Sequence, residues 1–195
     1  NVVNTHTLLD AMLRHGVKNF IFSSTAAIFG EPEYTSIDEK HNKHPINPYG
    51  FTKLVVEQAL ADYATAYGLG YAALRYFNAA GAHPAGDIGE DHAEESHLIP
   101  RLLRAAQRRD EVTPIFGDDY PTRDGTCVRD YVHVIDLAEA HILALGALDQ
   151  GSRVYNLGNG RGFSVTEVIE AARDVTGHAI PAQVGPRRLG DPAEL

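Results

Sequence analysis

The order of hydrophobic patterns in the first 77 residues limits the fold more than any other feature of this chain. Residues 2–15 place Leu8, Leu9, Met12 and Leu13 at helical spacing, and Gly16 is a natural stop. NFIFSS, residues 19–24, then reads as a buried strand, and a polar, proline-containing loop follows from Gly30 to Pro48. The pattern next predicts a helix over 49–67, ending at Gly68, and a strand, YAALRYF, over 71–77. Helices alternating with buried strands are the rhythm of a parallel α/β sheet.

Beyond Asn78 the texture changes. AAGAHPAGDIGEDHAEE (79–95) is glycine-rich and acidic, and reads as a loop. HLIPRLLRAAQRR (97–109) reads as a helix, with Pro100 in a first turn where its missing N–H does no harm. TPIFG, CVRDYVHV and VYNLGN read as strands. Asp136 to Leu148 reads as a helix opened by a capping box of Asp136 and Glu139. Ser164 and Glu167 form a cleaner S-x-x-E box, opening a helix that runs to Gly177. No internal repeat or low-complexity tract is present.

The stretch NPYGFTK (47–53) puts Tyr49 and Lys53 four residues apart on one helix face, with β-carbons roughly 5–6 Å apart. A free phenol loses its proton only at about pH 10. A nearby ammonium favours the phenolate, so the pair can act as a proton acceptor near neutrality. In open α/β sheets ligands lie beyond the carboxyl ends of the strands. The first strand ends there with Ser23, Ser24 and Thr25, so hydroxyls, a phenol and an ammonium are expected to converge at one mouth. Taken alone, YxxxK also suits a helix whose tyrosine packs and whose lysine is solvated.

The totals narrow the partners. There are 26 acidic and 17 basic residues, a net charge of −9, which argues against non-specific nucleic-acid binding but not against a local arginine cluster. No apolar run reaches the length of a membrane span. Cys127 is the sole cysteine, so no intramolecular disulfide can form, and a reducing, cytoplasmic compartment fits. Among ten histidines there is no HExxH and no close His/Cys spacing, so no metal is expected.

Six segments carry a resemblance. FIFSSTAAIFG, NPYGFTK, LRYFNAAGAHP, GEDHAEESHLIP, TPIFGDDYPTRDGTCVRDYVHV and YNLGNGRGFSV, in this order, resemble the UDP-glucose (UDP-galactose) 4-epimerase family of the extended short-chain dehydrogenases/reductases. The resemblance extends over essentially all 195 residues. YxxxK marks only the superfamily, whereas the segments from Arg75 onward are sharper.

The resemblance implies inversion at sugar carbon 4 through a 4-keto intermediate, with NAD as cofactor and UDP-galactose and UDP-glucose as the interconverted pair. Tyr49 would take the 4-hydroxyl proton, Thr25 would help shuttle it, and Lys53 would hold the nicotinamide ribose and depress the Tyr49 pKa. Phe77 would lie on the cofactor side. Asn78 would contact the diphosphate, with Arg129 and Arg188 pairing to it, and His97 and Leu98 would contact the nucleotide sugar. Pro114, Ile115 and Phe116 would border the uracil, with Phe116 packing on it, and Asp191 would bond the uridine ribose. Leu195 would sit where side-chain bulk decides access for N-acetylated sugars, so UDP-GlcNAc is expected to fit as well. Helices matching 2–15 and 49–67 would form a homodimer contact.

The expected fold is α/β: a doubly wound, Rossmann-type parallel sheet without its first strands (1–80), followed by a smaller α/β UDP-sugar domain (81–195). The family's GxxGxxG turn has no counterpart here, since GNGRG (158–162) lacks the spacing and reads as a loop. The expectation is therefore of an N-terminally truncated chain that binds NAD poorly and self-associates. Two rivals remain. A nucleotide-sugar 4,6-dehydratase would carry Asp-Glu after the strand-end threonine, where this chain has Ala26 and Ala27. A catalytically incomplete UDP-sugar-binding fragment is the other.

Overall fold

The computed structural model describes residues 1–108 and 112–195. In chain order the elements are α1 (Val2–Arg14), β1 (Asn19–Thr25), α2 (Pro48–Tyr67), β2 (Gly70–Tyr76), β3 (Asn78–Ala80), α3 (Leu98–Arg108), β4 (Thr113–Phe116) and β5 (Val128–His133). They continue with α4 (Val134–Gly146), β6 (Arg153–Leu157), β7 (Gly162–Ser164), α5 (Val165–Thr176) and β8 (Ala182–Gly185). Short 3-10 turns occupy Ala26–Ile28 and Leu148–Gln150.

The α/β class expected from the alternation is present. β1, β2 and β6 form one parallel sheet in the order β1-β2-β6. On one face α1 and α2 bury Leu9, Met12, Val56 and Leu60 against Phe22 and Ala73. On the other, Ala144 and Leu148 pack on Ala72 and Leu74. Successive strand residues point to opposite faces, so neighbouring Ala72 and Ala73 serve the two layers. Among the described residues β1 has a partner on one side only.

A second group of elements holds β3-β5-β7 and the parallel pair β4-β8. Its core is Leu102, Ala105, Ala106, Ile169 and Ile180, between α3 and α5. β6 returns to pair with β2, so a single cut at residue 80 does not separate the two sheets.

Local chemistry sets the helix ends. Asn47 caps α2 by accepting from the Gly50 N–H at 2.8 Å, Pro48 fills the first turn, and Gly68 closes the helix at φ 70°. Ser164 and Glu167 make both bonds of their capping box, and Gly177 ends α5 at φ 68°. The Asp136–Glu139 box is not formed. Instead His133 caps α4, its Nδ1 accepting from the Ile135 N–H at 3.2 Å, so Asp136 lies inside the first turn. Histidine is an uncommon cap, and the aspartate drew the reading two residues too far. The expected helix over 97–109 is described as α3 as far as Arg108, and Arg109 lies outside the described residues.

Candidate active site

The site forms where β1 and β2 end and the chain crosses into the second group of elements. Thr25, the last residue of β1, has its hydroxyl accepting from the Ala27 N–H at 3.1 Å, which starts the 3-10 turn. Gly50 allows α2 to press on that turn. A β-carbon there would lie 2.4 Å from the Ala27 carbonyl oxygen, so no larger residue fits between Tyr49 and the helix body. The close approach puts the Tyr49 phenol and the Thr25 hydroxyl on the wall of one cavity of about 800 Å³.

Lys53 lies one turn further along α2, its Nζ 5.7 Å from the Tyr49 ring centre and donating to the Ser23 carbonyl at 2.7 Å. Burial lowers its pKa. The Tyr49 pKa is raised by burial, while the Thr25 hydroxyl pulls the other way. Lys53 is not among the groups that shift the Tyr49 pKa here, and its ammonium is directed at the β1 carbonyl. Nor do the three strand-end hydroxyls converge. Only Thr25 lines the cavity: Ser24 points into the core and donates to Glu57 at 2.5 Å, and the Ser23 hydroxyl pairs with His141 at 3.2 Å.

The cavity wall continues through Phe77, Asn78, His97, Arg129, Asp191 and Leu195. Asn78, His97, Arg129 and Asp191 also line a smaller pocket of about 190 Å³, bordered by Leu98, Pro114, Ile115, Phe116 and Arg188. These residues come from β3, α3, β4, β5 and the segment after β8, so the crossing of elements, rather than any local stretch, assembles them. Every residue to which the resemblance assigns a role, except Lys53, lines one of the two pockets, whereas Ser23 and Ser24 line neither.

Three details depart from expectation or add to it. The Arg188 guanidinium lies 4.3 Å from the Phe116 ring centre, so one ring face meets a cation. Arg129 Nη2 stands 3.8 Å from Asp191 Oδ1, which partly balances its charge. Leu195 is fixed by backbone pairing: its N–H donates to the Val128 carbonyl at 3.1 Å, and its carbonyl accepts from Asp130 N–H at 3.1 Å.

Sequence reading missed Asn47, which caps α2 and lines the larger cavity, and the Glu57–Arg75 pair beneath Lys53. The 49, 53, 57 spacing on α2 was the signal for Glu57. The GNGRG loop is not an anion cradle. The Asn159 and Gly160 amides donate to Asp130 at 2.9 and 2.8 Å, and a β-carbon on Gly158 would strike the same carboxylate.

Residues 1–158 match the NAD dependent epimerase/dehydratase family, and the chain belongs to it. It is 59% identical over 197 residues to the UDP-glucose 4-epimerase of Halalkalibacterium halodurans and 55% identical over 196 residues to that of Corynebacterium glutamicum. Each match takes in 100% of this chain and 59% of the relative, so the chain spans about three fifths of the length of these curated relatives. Among solved structures, the UDP-glucose 4-epimerase from Brucella ovis in complex with NAD superposes with a TM-score of 0.92 at 51% identity, over 98% of this chain and 59% of that one. The Bifidobacterium longum enzyme in complex with NAD+ and UDP gives 0.91 at 43% identity, over 97% and 58%.

Proposed function

We propose that this chain carries the proton-handling group and the uridine-nucleotide site of an NAD-dependent UDP-glucose 4-epimerase, interconverting UDP-galactose and UDP-glucose. One observation carries the reading: the cavity holding Thr25 and Tyr49 shares Asn78, His97, Arg129 and Asp191 with the pocket bordered by Pro114–Phe116 and Arg188. A reacting sugar and an aromatic base, joined by a diphosphate, need that sequence of environments.

As the phenolate, Tyr49 takes the proton of the sugar 4-hydroxyl, and the Thr25 hydroxyl relays it. Burial holds that phenol protonated, so positive charge has to favour the phenolate during the reaction. Lys53, already close to the ring, supplies part of it and binds the nicotinamide ribose. Phe77 would border the cofactor, and bound NAD would supply a hydride acceptor and donor for carbon 4. The residues present fit the nicotinamide end of that cofactor: a hydroxyl, a phenol and an ammonium gather at the strand ends. A cavity of about 800 Å³ gives the 4-keto sugar room to turn. Arg129 and Arg188 offset the diphosphate charge, with Asn78 and His97 as neighbouring polar contacts. Leu98 and Pro114–Phe116 border the nucleotide, Asp191 accepts from the uridine ribose, and Leu195 flanks the sugar.

The wider setting follows the same reading: galactose metabolism in the cytoplasm, and a homodimer through α1 and α2, whose Val3, Leu8, Phe51 and Tyr67 are exposed. A second reading, UDP-sugar binding without turnover, has one observation behind it. Among the described residues no glycine-rich turn links a strand of the β1-β2-β6 sheet directly to a helix, so no pyrophosphate cradle is seen. Against a 4,6-dehydratase stand the methyl groups of Ala26, which is buried, and Ala27 on the cavity wall. Neither can move a proton.

Proton NMR of UDP-galactose with the chain and added NAD tests the proposal. UDP-glucose formation that vanishes in Tyr49→Phe, while UDP-galactose binding persists, is expected. Binding with no turnover favours the second reading. A 4-keto-6-deoxy product, or turnover untouched in Tyr49→Phe, overturns the assignment of Tyr49 and the epimerase reaction.

A further inference from the structure

Between β3 and α3 the chain brings four side chains together that sequence spacing did not mark as a metal site. Glu90, His92, Glu95 and His97 each turn one donor atom inward, and these four atoms all lie within 4.8 Å of one another. His92 Nδ1 is 3.1 Å from Glu90 Oε1 and 3.5 Å from Glu95 Oε2. His97 Nδ1 is 3.6 Å from Glu95 Oε1 and is in direct contact with Glu90 Oε1.

The 3.1, 3.5 and 3.6 Å separations lie near the edge of a coordination tetrahedron, and the shorter His97–Glu90 contact would have to open around an ion. With metal–ligand bonds of about 2.0–2.1 Å, ligand atoms stand roughly 3.3–3.4 Å apart. A second observation points to a missing partner. The Glu95 side chain is 2% exposed, and its Oε2, aimed at His92, has no hydrogen-bond partner. Its other oxygen is held by the His97 N–H at 2.8 Å, so the carboxylate cannot swing out to water without losing that bond. Leaving a buried carboxylate oxygen without a partner is unfavourable, and a cation removes the penalty. The loop is tied down as well: Arg104 of α3 donates to the His92 carbonyl at 3.2 Å.

We propose that Glu90, His92, Glu95 and His97 form a binding site for a divalent first-row transition ion, of which Zn²⁺ is the representative. Two imidazole nitrogens and two carboxylate oxygens suit zinc better than calcium or magnesium, which take oxygen ligands. Two carboxylates also balance the charge of the ion. Glu90, His92 and His97 border the cavity that holds Thr25 and Tyr49, so a bound ion would fix one of its walls.

Isothermal titration of the chain with ZnCl₂, alongside His92→Ala and Glu95→Gln, tests this without any turnover, so its failure is separate from failure of the epimerase reading. One equivalent should bind to the wild-type chain, and each variant should lose that affinity by tenfold or more while its far-UV circular dichroism is unchanged. The Co²⁺-loaded chain should show the intense visible absorption of a tetrahedral ion, lost in His92→Ala. Zinc binding that is absent, or equal in all three proteins, overturns the proposal.

Discussion

Beneath the proposed proton-handling group, Arg75 and Glu57 form an ion pair inside the protein, with side chains 3% and 7% exposed. Arg75 sits on β2 opposite Ser24 of β1, and Glu57 lies one helical turn below Lys53 on α2. Arg75 donates to Glu57 through Nε at 3.0 and 3.2 Å and Nη2 at 2.6 Å, and Ser24 adds its hydroxyl. The network ties α2 to the sheet and so fixes where Tyr49 stands. Replacing Arg75 with methionine leaves the Glu57 carboxylate with Ser24 alone in a dry site. Two charges about 4 Å apart attract by roughly 4 kcal/mol at an effective dielectric constant of about 20. Breaking a buried pair on one side typically costs about 3–5 kcal/mol. Arg75→Met should therefore lose about 3–5 kcal/mol in urea unfolding followed by circular dichroism, with little change in slope. Arg75→Met combined with Glu57→Leu removes both charges and should recover much of the loss. What remains is the hydroxyl of Ser24 and the Glu39 carbonyl, which each lose a partner at about 1 kcal/mol. A loss under about 1 kcal/mol in the single variant, or a double variant as unstable as the sum of both singles, would refute the reasoning.

Three further outcomes are expected. Burial alone would raise the Asp124 pKa, but hydrogen bonds from Ser164 and from the Thr126 backbone and hydroxyl outweigh it and hold it low. Its stabilisation is thus present above its ordinary value of 3.8 and lost as pH falls through the lower folded value; urea midpoints of Asp124→Asn should fall below wild type at neutral pH and converge with it in acid, and a gap that persists contradicts this. Arg188→Ala should weaken UDP binding by about tenfold, the weight of one charge-assisted contact of roughly 1.4 kcal/mol or more, and unchanged affinity by calorimetry would remove Arg188 from the nucleotide site. The 195-residue chain should purify without NAD, because no described strand of its parallel sheet runs through a glycine-rich turn into a helix; stoichiometric cofactor in the purified protein, read by absorbance after denaturation, refutes that.

What the sequence disclosed and what it hid follow from the range of the forces involved. Apolar periodicity is local, so α1, β1, α2 and β2 were legible to within a residue or two, and the Ser164–Glu167 box needed only four residues to be read. The strands β3, β7 and β8 were not legible, because three or four residues carry no pattern and exist as strands through their partners. The return of β6 to β2 escaped for a related reason, since no local signal says which of two sheets a strand joins. At the site, i and i+4 spacing gave Tyr49 and Lys53 one helix face, yet it could not say where the ammonium points. That was decided by the Ser23 carbonyl, thirty residues away in sequence. The same limit governs the Glu90–His97 cluster. In a helix the offsets 90, 92, 95 and 97 would scatter around the axis, and in a strand 90 and 92 would oppose 95 and 97. Only an irregular loop, pinned at one end by Arg104 and at the other by α3, can turn all four donors toward one point.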